Sequence, residues 1–240
     1  MKILRKIVII LGAAVLIAAL IVAGWTYYAY RRPLPKQQGE LSIEGMQRET
    51  RIYRDTWGVA HIYAATRVDL FFAQGFVHAQ DRWWQMDVSR RIGRGTLSEL
   101  LGQNDKVQSI DRLARTLGWD QIAQANWDAA SPEARLALEA YTAGVNAYIE
   151  ARSPGELALE YTVLDLRLDQ VTVQPWTPQD SLAWAVALNW EMSGNASQEL
   201  TIARDLTFVD AGMVSLLVPL SATPPPRLHP PAPRFSAGPV

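Results

Sequence analysis

The sequence predicts a helix-rich α+β fold preceded by a single transmembrane helix. Three observations predict it. Nineteen uncharged residues, Ile7 to Trp25, follow Lys2, Arg5 and Lys6, and a run of ~20 apolar residues crosses a bilayer as a helix. The stretch from Arg51 to Gly102 reads as a tight β-hairpin feeding one long amphipathic helix. Ser131-Pro132 and Thr177-Pro178 each set a capping hydroxyl before a proline, which is a strong helix start.

The N-terminal run is longer than the ~7–15 apolar residues of a secretory leader. No convincing small-residue cleavage site follows it, and Trp25, Tyr27, Tyr28 and Tyr30 form an aromatic belt of the kind found at a membrane interface. We read residues 1–32 as an uncleaved signal-anchor, single-pass, with the N-terminus cytoplasmic. Everything beyond then lies on the exoplasmic side, periplasmic or extracellular. Arg31 and Arg32 on the far flank weaken that orientation somewhat. Residues 33–45 form a linker that begins with two prolines, Pro33 and Pro35, and prolines break the helix.

Residues 46–217 carry the folded region. Ile52 and Tyr53 lead into Asp55-Thr56-Trp57-Gly58, a turn with glycine where positive φ is needed, and Val59 to Ala64 returns as a second strand. His61 in that strand is read as a structural, hydrogen-bonded residue. Thr66 to Asp69 fits a capping box. In the helix that follows, Phe72, Phe76, Ala79 and Trp83 recur at spacings of three and four. Gln74, His78, Asp81, Arg82, Gln85 and Ser89 form a second stripe, whose amides, histidine and Asp/Arg pair read as a buried hydrogen-bonding network rather than a solvated face. Gly93 to Gly95 ends the helix and a short one starts at Thr96. Helical periodicity resumes over Val107 to Trp127, interrupted at Gly118.

Ser131 opens a helix to about Glu150 that buries Ala137, Tyr141, Gly144, Val145 and Tyr148. Gly144 signals close helix packing, since glycine there costs ~1 kcal/mol against alanine. Ser153 to Gly155 reads as a turn, and Ala158 to Val173 contains a short alternating run that reads as one strand. Thr177-Pro178, with Asp180 completing a box, opens a helix to about Met192. Ser193-Gly194-Asn195 breaks it, and Ser197 caps another with Glu199 in its first turn. Residues 218–240 hold eight of the fourteen prolines and cannot build helix or sheet.

Composition removes several functions. The chain has 240 residues, 23 basic and 24 acidic. Five of the basic groups lie in the first 32 residues, leaving 18 against 24 beyond them, so no basic stripe exists for a nucleic-acid partner. There is no cysteine, which excludes thiol catalysis and thiolate metal sites. Three histidines, without a G-x-S-x-G elbow, make a Ser/His/Asp triad unconvincing. No zinc-ligand spacing and no glycine-rich phosphate loop occurs. Carboxylate pairs occur in any chain of this length, so they do not single out a glycosidase. Nine tryptophans are read as core before they are read as a sugar- or acyl-binding groove.

RDTWGVAHIYA from Arg54, GFVHAQDRWWQMD from Gly75 and GRGTLSELLG from Gly93 together resemble the opening of the penicillin acylase family of N-terminal-nucleophile hydrolases, which includes acyl-homoserine lactone acylases. Asp111–Gly118, Glu139–Ile149, Pro175–Trp184 and Ser193–Leu200 match in the same order. The resemblance implies an αββα sandwich, of which this chain is the α-chain portion. It implies a precursor that cleaves itself into α- and β-chains. The nucleophile is then the β-chain's new N-terminal serine, with its own α-amine as base, so no catalytic residue is expected here. The family's G-S-N-N type junction is absent, and the proline-rich tail leads toward a missing β-chain.

The resemblance also assigns Asn189, Met192 and Ser193 to the wall of the acyl pocket, with Trp190 nearby. It makes Glu199 the α-chain's one ligand to a structural calcium ion whose other ligands lie in the β-chain. His78, Asp81, Arg82 and Gln85 become glue between the α- and β-chains. The expected activity is hydrolysis of a small N-acyl linear amide. The partners are the β-chain and the membrane, and no nucleic acid. As the alternative, the chain is a truncated or degenerate homologue that serves as a membrane-held binding or scaffold protein. A carbohydrate-binding module is more remote.

Overall fold

In the computed structural model, residues 2–35, 38–165, 172–194 and 196–208 are described. The chain divides into two units, Met1–Asn189 and Trp190–Val240. The proline-rich residues 218–240 lie outside the described residues.

The first unit opens with helix α1, Lys2–Arg31. Within it Ile9–Arg31, 23 residues, is long and apolar enough to cross a membrane or to serve as a signal sequence. The helix runs past Trp25 because nothing before Pro33 breaks it. Strands β1 (Arg51–Arg54) and β2 (Ala60–Tyr63) pair antiparallel with Tyr53 opposite His61. Asp55 holds the turn: its Oδ1 accepts from the amides of Trp57 and Val59, both at 2.9 Å, and Gly58 takes φ 77°. His61 Nε2 lies 3.3 Å from Asp55 Oδ2, both side chains exposed, a turn contact of the structural kind expected.

Helix α2 spans Arg67–Arg94. Thr66 Oγ1 accepts from the Asp69 amide at 3.0 Å, half of the expected capping box. The Asp69 carboxylate accepts from Thr66 Oγ1 at 2.7 Å and from the Gln47 amide at 2.7 Å, which ties the preceding loop to the helix start. Phe72, Phe76, Ala79 and Trp83 are all buried. At Arg82 the backbone leaves the helical region (φ −152°, ψ 39°) and α2 kinks. Gly95, at φ 66°, terminates it, a left-handed cap that glycine takes without strain.

Helix α3 (Leu97–Leu101) is capped from a distance: the Asp111 carboxylate accepts from the amides of Leu97 and Ser98 at 2.7 and 2.9 Å. Asp111 belongs to α4 (Asp105–Leu117), which Asn104 caps and which Gly118, at φ 69°, separates from α5 (Trp119–Asp128). Helix α6 (Pro132–Ile149) starts on Ser131, whose Oγ accepts from the Ala134 amide at 3.2 Å. It crosses α2 through two glycines: a Cβ on Gly144 would strike the Phe72 carbonyl and one on Gly75 the Tyr141 carbonyl. The close packing expected at Gly144 is therefore reciprocal.

Two local expectations change. Ser153–Gly155 is the cap of a one-turn helix, α7 (Pro154–Leu157), closed by a capping box between Ser153 and Glu156. The short strand expected within Ala158–Val173 is not found over Leu159–Asp165, which is helix α8, while residues 166–171 lie outside the described residues. Tyr161 explains the difference: it turns inward to a buried carboxylate 74 residues upstream in sequence, a contact that local alternation does not encode. Helix α9 (Pro178–Met192) begins as predicted, with the Thr177 amide donating to Asp180 Oδ2 at 2.7 Å. The core gathers Phe76, Trp83, Leu100, Val145, Tyr148, Tyr161 and Trp176. Fully burying a large apolar side chain contributes ~1.5–3 kcal/mol each. The second unit contains the end of α9 and helix α10 (Ala196–Asp205), which begins one residue before the Ser197 expected to cap it.

Candidate functional site

Two polar features meet on α2 of the first unit, one buried and one open. The buried one is a charge cluster. Asp87 is wholly buried, and it accepts from Arg90 Nε at 2.6 Å, from Arg91 Nε at 3.2 Å and from the Tyr161 hydroxyl at 2.7 Å. Arg90 also donates to the carbonyls of Gln174 and Pro175, both at 3.0 Å. Its guanidinium lies over the rings of Trp83 and Trp176, 5.3 and 5.5 Å from their centroids. Asp180, also wholly buried, faces Arg94 Nε at 2.7 Å. The angle there is too poor for a hydrogen bond, so that pair is a charge contact.

A lone buried carboxylate would be very costly, and three arginines answer the two carboxylates. Burial, and then the charge of Asp87, push the Tyr161 phenol far above its ordinary range, so it stays a proton donor. This cluster joins α2, α8 and the start of α9. It is structural: every charged group in it is turned to another.

The open feature is a groove of about 410 Å³ between α2, α6 and the first turns of α9. Gln74, His78, Arg82, Gln85 and Ser89 line it from α2, and Tyr141, Trp176 and Trp184 lie opposite. His78 Nδ1 and the Tyr141 hydroxyl are 3.0 Å apart. Burial, and then the Arg82 guanidinium, lower the His78 pKa against a smaller opposing pull from Asp81. Burial pushes the Tyr141 phenol up to about 12. Both groups are neutral near pH 7, and the pair presents a hydrogen-bonding surface to the groove.

The stripe expected to be buried is thus partly open, because Asp81, Arg82 and Gln85 are exposed. Asp81 has a task within the chain. Its carboxylate receives Arg54 Nη2 at 2.7 Å and Nη1 at 2.9 Å, a forked pair that latches the hairpin to α2.

The expected site residues fall on both units. Asn189, Met192 and Ser193 lie at the end of α9 and just past it, all exposed. Asn189 closes the first unit and the other two open the second. Glu199 is in the first turn of α10 and exposed. No group of three His, Asp or Glu side chains that could hold a metal gathers among the described residues. Calcium takes ~6–8 oxygen ligands, so Glu199 fits it only as one ligand among donors supplied from elsewhere. Sequence reasoning missed Asp87, Tyr161 and Arg54: Tyr161 meets Asp87 across 74 residues and Arg54 meets Asp81 across 27. The available signal was a carboxylate, Asp87, set three and four residues before two arginines on one helix.

Comparison with known proteins bears on the whole arrangement. The family described as Penicillin amidase matches residues 49–221. Penicillin acylase 2 proenzyme of Pseudomonas sp. (strain SE83) is 39% identical over 155 residues, covering 65% of this chain and 19% of its own length. Acyl-homoserine lactone acylase QuiP of Pseudomonas aeruginosa is 33% identical over 176 residues, covering 73% of this chain and 20% of its own. Among solved structures, thermostable penicillin G acylase from Alcaligenes faecalis superimposes with a TM-score of 0.57 at 25% identity, over 80% of this chain and 98% of that one. The chain spans about one fifth of the length of the curated relatives it matches.

Proposed function

The chain belongs to the penicillin amidase family, and from that premise we propose that it is the α-chain part of an amide hydrolase acting on N-acyl linear amides. The observation that carries this reading is one of extent: this chain aligns with 98% of one chain of a solved penicillin G acylase, yet with only about one fifth of the curated relatives. One of those relatives is named a proenzyme.

In this reading the chemistry is the partner β-chain's. Its N-terminal serine attacks the amide carbonyl. The serine's own α-amine, with an ordinary pKa of ~7.7–8.0, accepts the proton, and water then releases the acyl group. This chain contributes the frame. Asn189, Met192 and Ser193 form part of the acyl-pocket wall, and Glu199 supplies one carboxylate to a calcium ion completed by β-chain oxygens. The groove along α2 and α6, with its neutral His78–Tyr141 pair, takes part in seating the β-chain. Helix α1 holds the assembly at a membrane as an uncleaved anchor, with the fold on the exoplasmic side.

The test compares residues 1–240 with a precursor that also carries a β-chain, using a phenylacetyl anilide and a long-chain fatty-acyl anilide. The expected result is turnover by the matured precursor and none by residues 1–240. Turnover by residues 1–240 alone would overturn the assignment of the nucleophile to the partner. A matured precursor inert on every N-acyl amide tried would favour the scaffold reading.

A further inference from the structure

An apolar cleft of about 650 Å³ lies between the last turns of α1 and helix α8, lined by Trp25, Ala29, Tyr30, Leu159, Thr162 and Val163. Ala29 is the one residue of α1 buried among those whose exposure is described. Below the cleft, α1 is clasped to the folded unit. Arg32 Nη2 donates to Ser153 Oγ at 2.7 Å and lies 3.8 Å from the Glu156 carboxylate. The Arg32 guanidinium also sits over the Tyr28 ring, 5.9 Å from its centroid. Gly155 makes the room: a Cβ there would meet Thr162 Oγ1 at 2.8 Å and Arg32 Nη1 at 3.1 Å. Val163 and Leu34, beside the clasp, are each 48% exposed.

We propose that this clasp lays the first unit against the bilayer, with α8 as a lipid-contacting surface and the cleft filled by lipid acyl chains. The inference rests on the reading of α1 as an anchor and adds to it an orientation. Length supports it. From Ile9 to Ala29 a helix rises ~30 Å at 1.5 Å per residue, which is the thickness of a bilayer's hydrocarbon core. The cleft therefore falls where hydrocarbon gives way to headgroups, the level that Trp25, Tyr27 and Tyr30 prefer. Arg31, exposed, follows at the depth of the lipid phosphates. A protein occupant would have to sit in that same plane, flush against a helix whose described residues above the cleft are all exposed.

The absence of cysteine makes the test direct. The full chain is reconstituted in phosphatidylcholine/phosphatidylglycerol vesicles with a single environment-sensitive fluorophore, introduced through Leu16→Cys on α1, Val163→Cys on α8 or Asn126→Cys on α5. Nitroxide-bearing lipids quench from a deep or a shallow position. The expected result is deep quenching at position 16, shallow quenching at 163 and none at 126. Adding Arg32→Gln should abolish quenching at 163 and leave that at 16 intact.

Quenching at 16 with none at 163 overturns the docking and leaves the anchor standing. Quenching at neither overturns the anchor itself. Position 163 shielded from lipid nitroxides and from aqueous iodide alike shows that another polypeptide covers α8, and sinks the proposal. Unchanged quenching at 163 in the Arg32→Gln background overturns the clasp.

Discussion

At the scale of single residues, Asp87 carries the most. Removing one partner of a buried charge pair typically costs ~3–5 kcal/mol, because the other charges remain desolvated. Asp87→Ala leaves Arg90 with only the Asp180 carboxylate, at 3.8 Å, Arg91 with only that of Glu99, at 3.5 Å, and Tyr161 without its acceptor. The expected outcome in the full precursor is loss of soluble, processed protein, and pulse-chase of maturation would read it. Normal maturation would show that the cluster contributes little. His78 gives a subtler test. Its folded pKa lies below the ordinary 6.5, so as pH falls below 6.5 the unfolded chain takes up a proton before the folded one does. The His78 contribution to stability is therefore complete above about pH 6.5 and is lost as pH falls toward the depressed value. His78→Gln should flatten the dependence of the unfolding midpoint on pH between 6.5 and 5, and an identical slope in wild type and variant would dismiss His78 as the source. The residues of this groove were legible as a polar stripe because helical spacing puts them on one side of α2. The depth of burial was not, since it depends on how far Ala137 and Tyr141 of α6 and Trp184 of α9 close over them.

At the scale of elements, the crossing of α2 and α6 is the tightest joint described. Gly75 and Gly144 each bring one helix's carbonyl against the other helix's Cα. Gly144→Ala would force the axes apart, and overpacking of this kind costs ~1–3 kcal/mol. A lowered melting temperature is expected, with exposed Ala143→Ser as a neutral comparison. Equal melting of both variants would mean that the joint gives way without cost. Helix starts were legible at Ser131 and Thr177, where a cap stands beside proline, and stops at Gly95 and Gly118, where glycine takes positive φ. Two elements were misread for different reasons. The Ser153–Gly155 turn was too short a window to show that Glu156 completes a capping box. Leu159–Asp165 alternates like a strand, but Tyr161 is drawn to Asp87 and the segment coils to reach it.

At the scale of the molecule, the chain supplies little reactive chemistry and much positioning. Apart from Arg51, an exposed donor to Glu49, the groups with moved pKa values are held neutral, like Tyr141, or serve as acceptors for nearby donors, like Asp69. If the proposed division of labour is right, variants of this chain should act on the precursor before they act on turnover. Asp81→Ala, which unlatches the hairpin from α2, should slow self-cleavage while any matured fraction keeps its KM. Normal maturation with lost turnover would place α2 at the active site instead. The kink at Arg82 sets a further constraint on the whole. Before it, α2 aims Phe72 and Phe76 at α6; after it, Asp87, Arg90 and Arg94 aim at α8 and the start of α9. A helix advances about 100° per residue, so gaining or losing one residue anywhere from Phe76 to Asp87 would swing one half's partners out of reach of the other's. This segment should therefore tolerate substitution far better than the gain or loss of a residue, which would uncouple the two halves of α2.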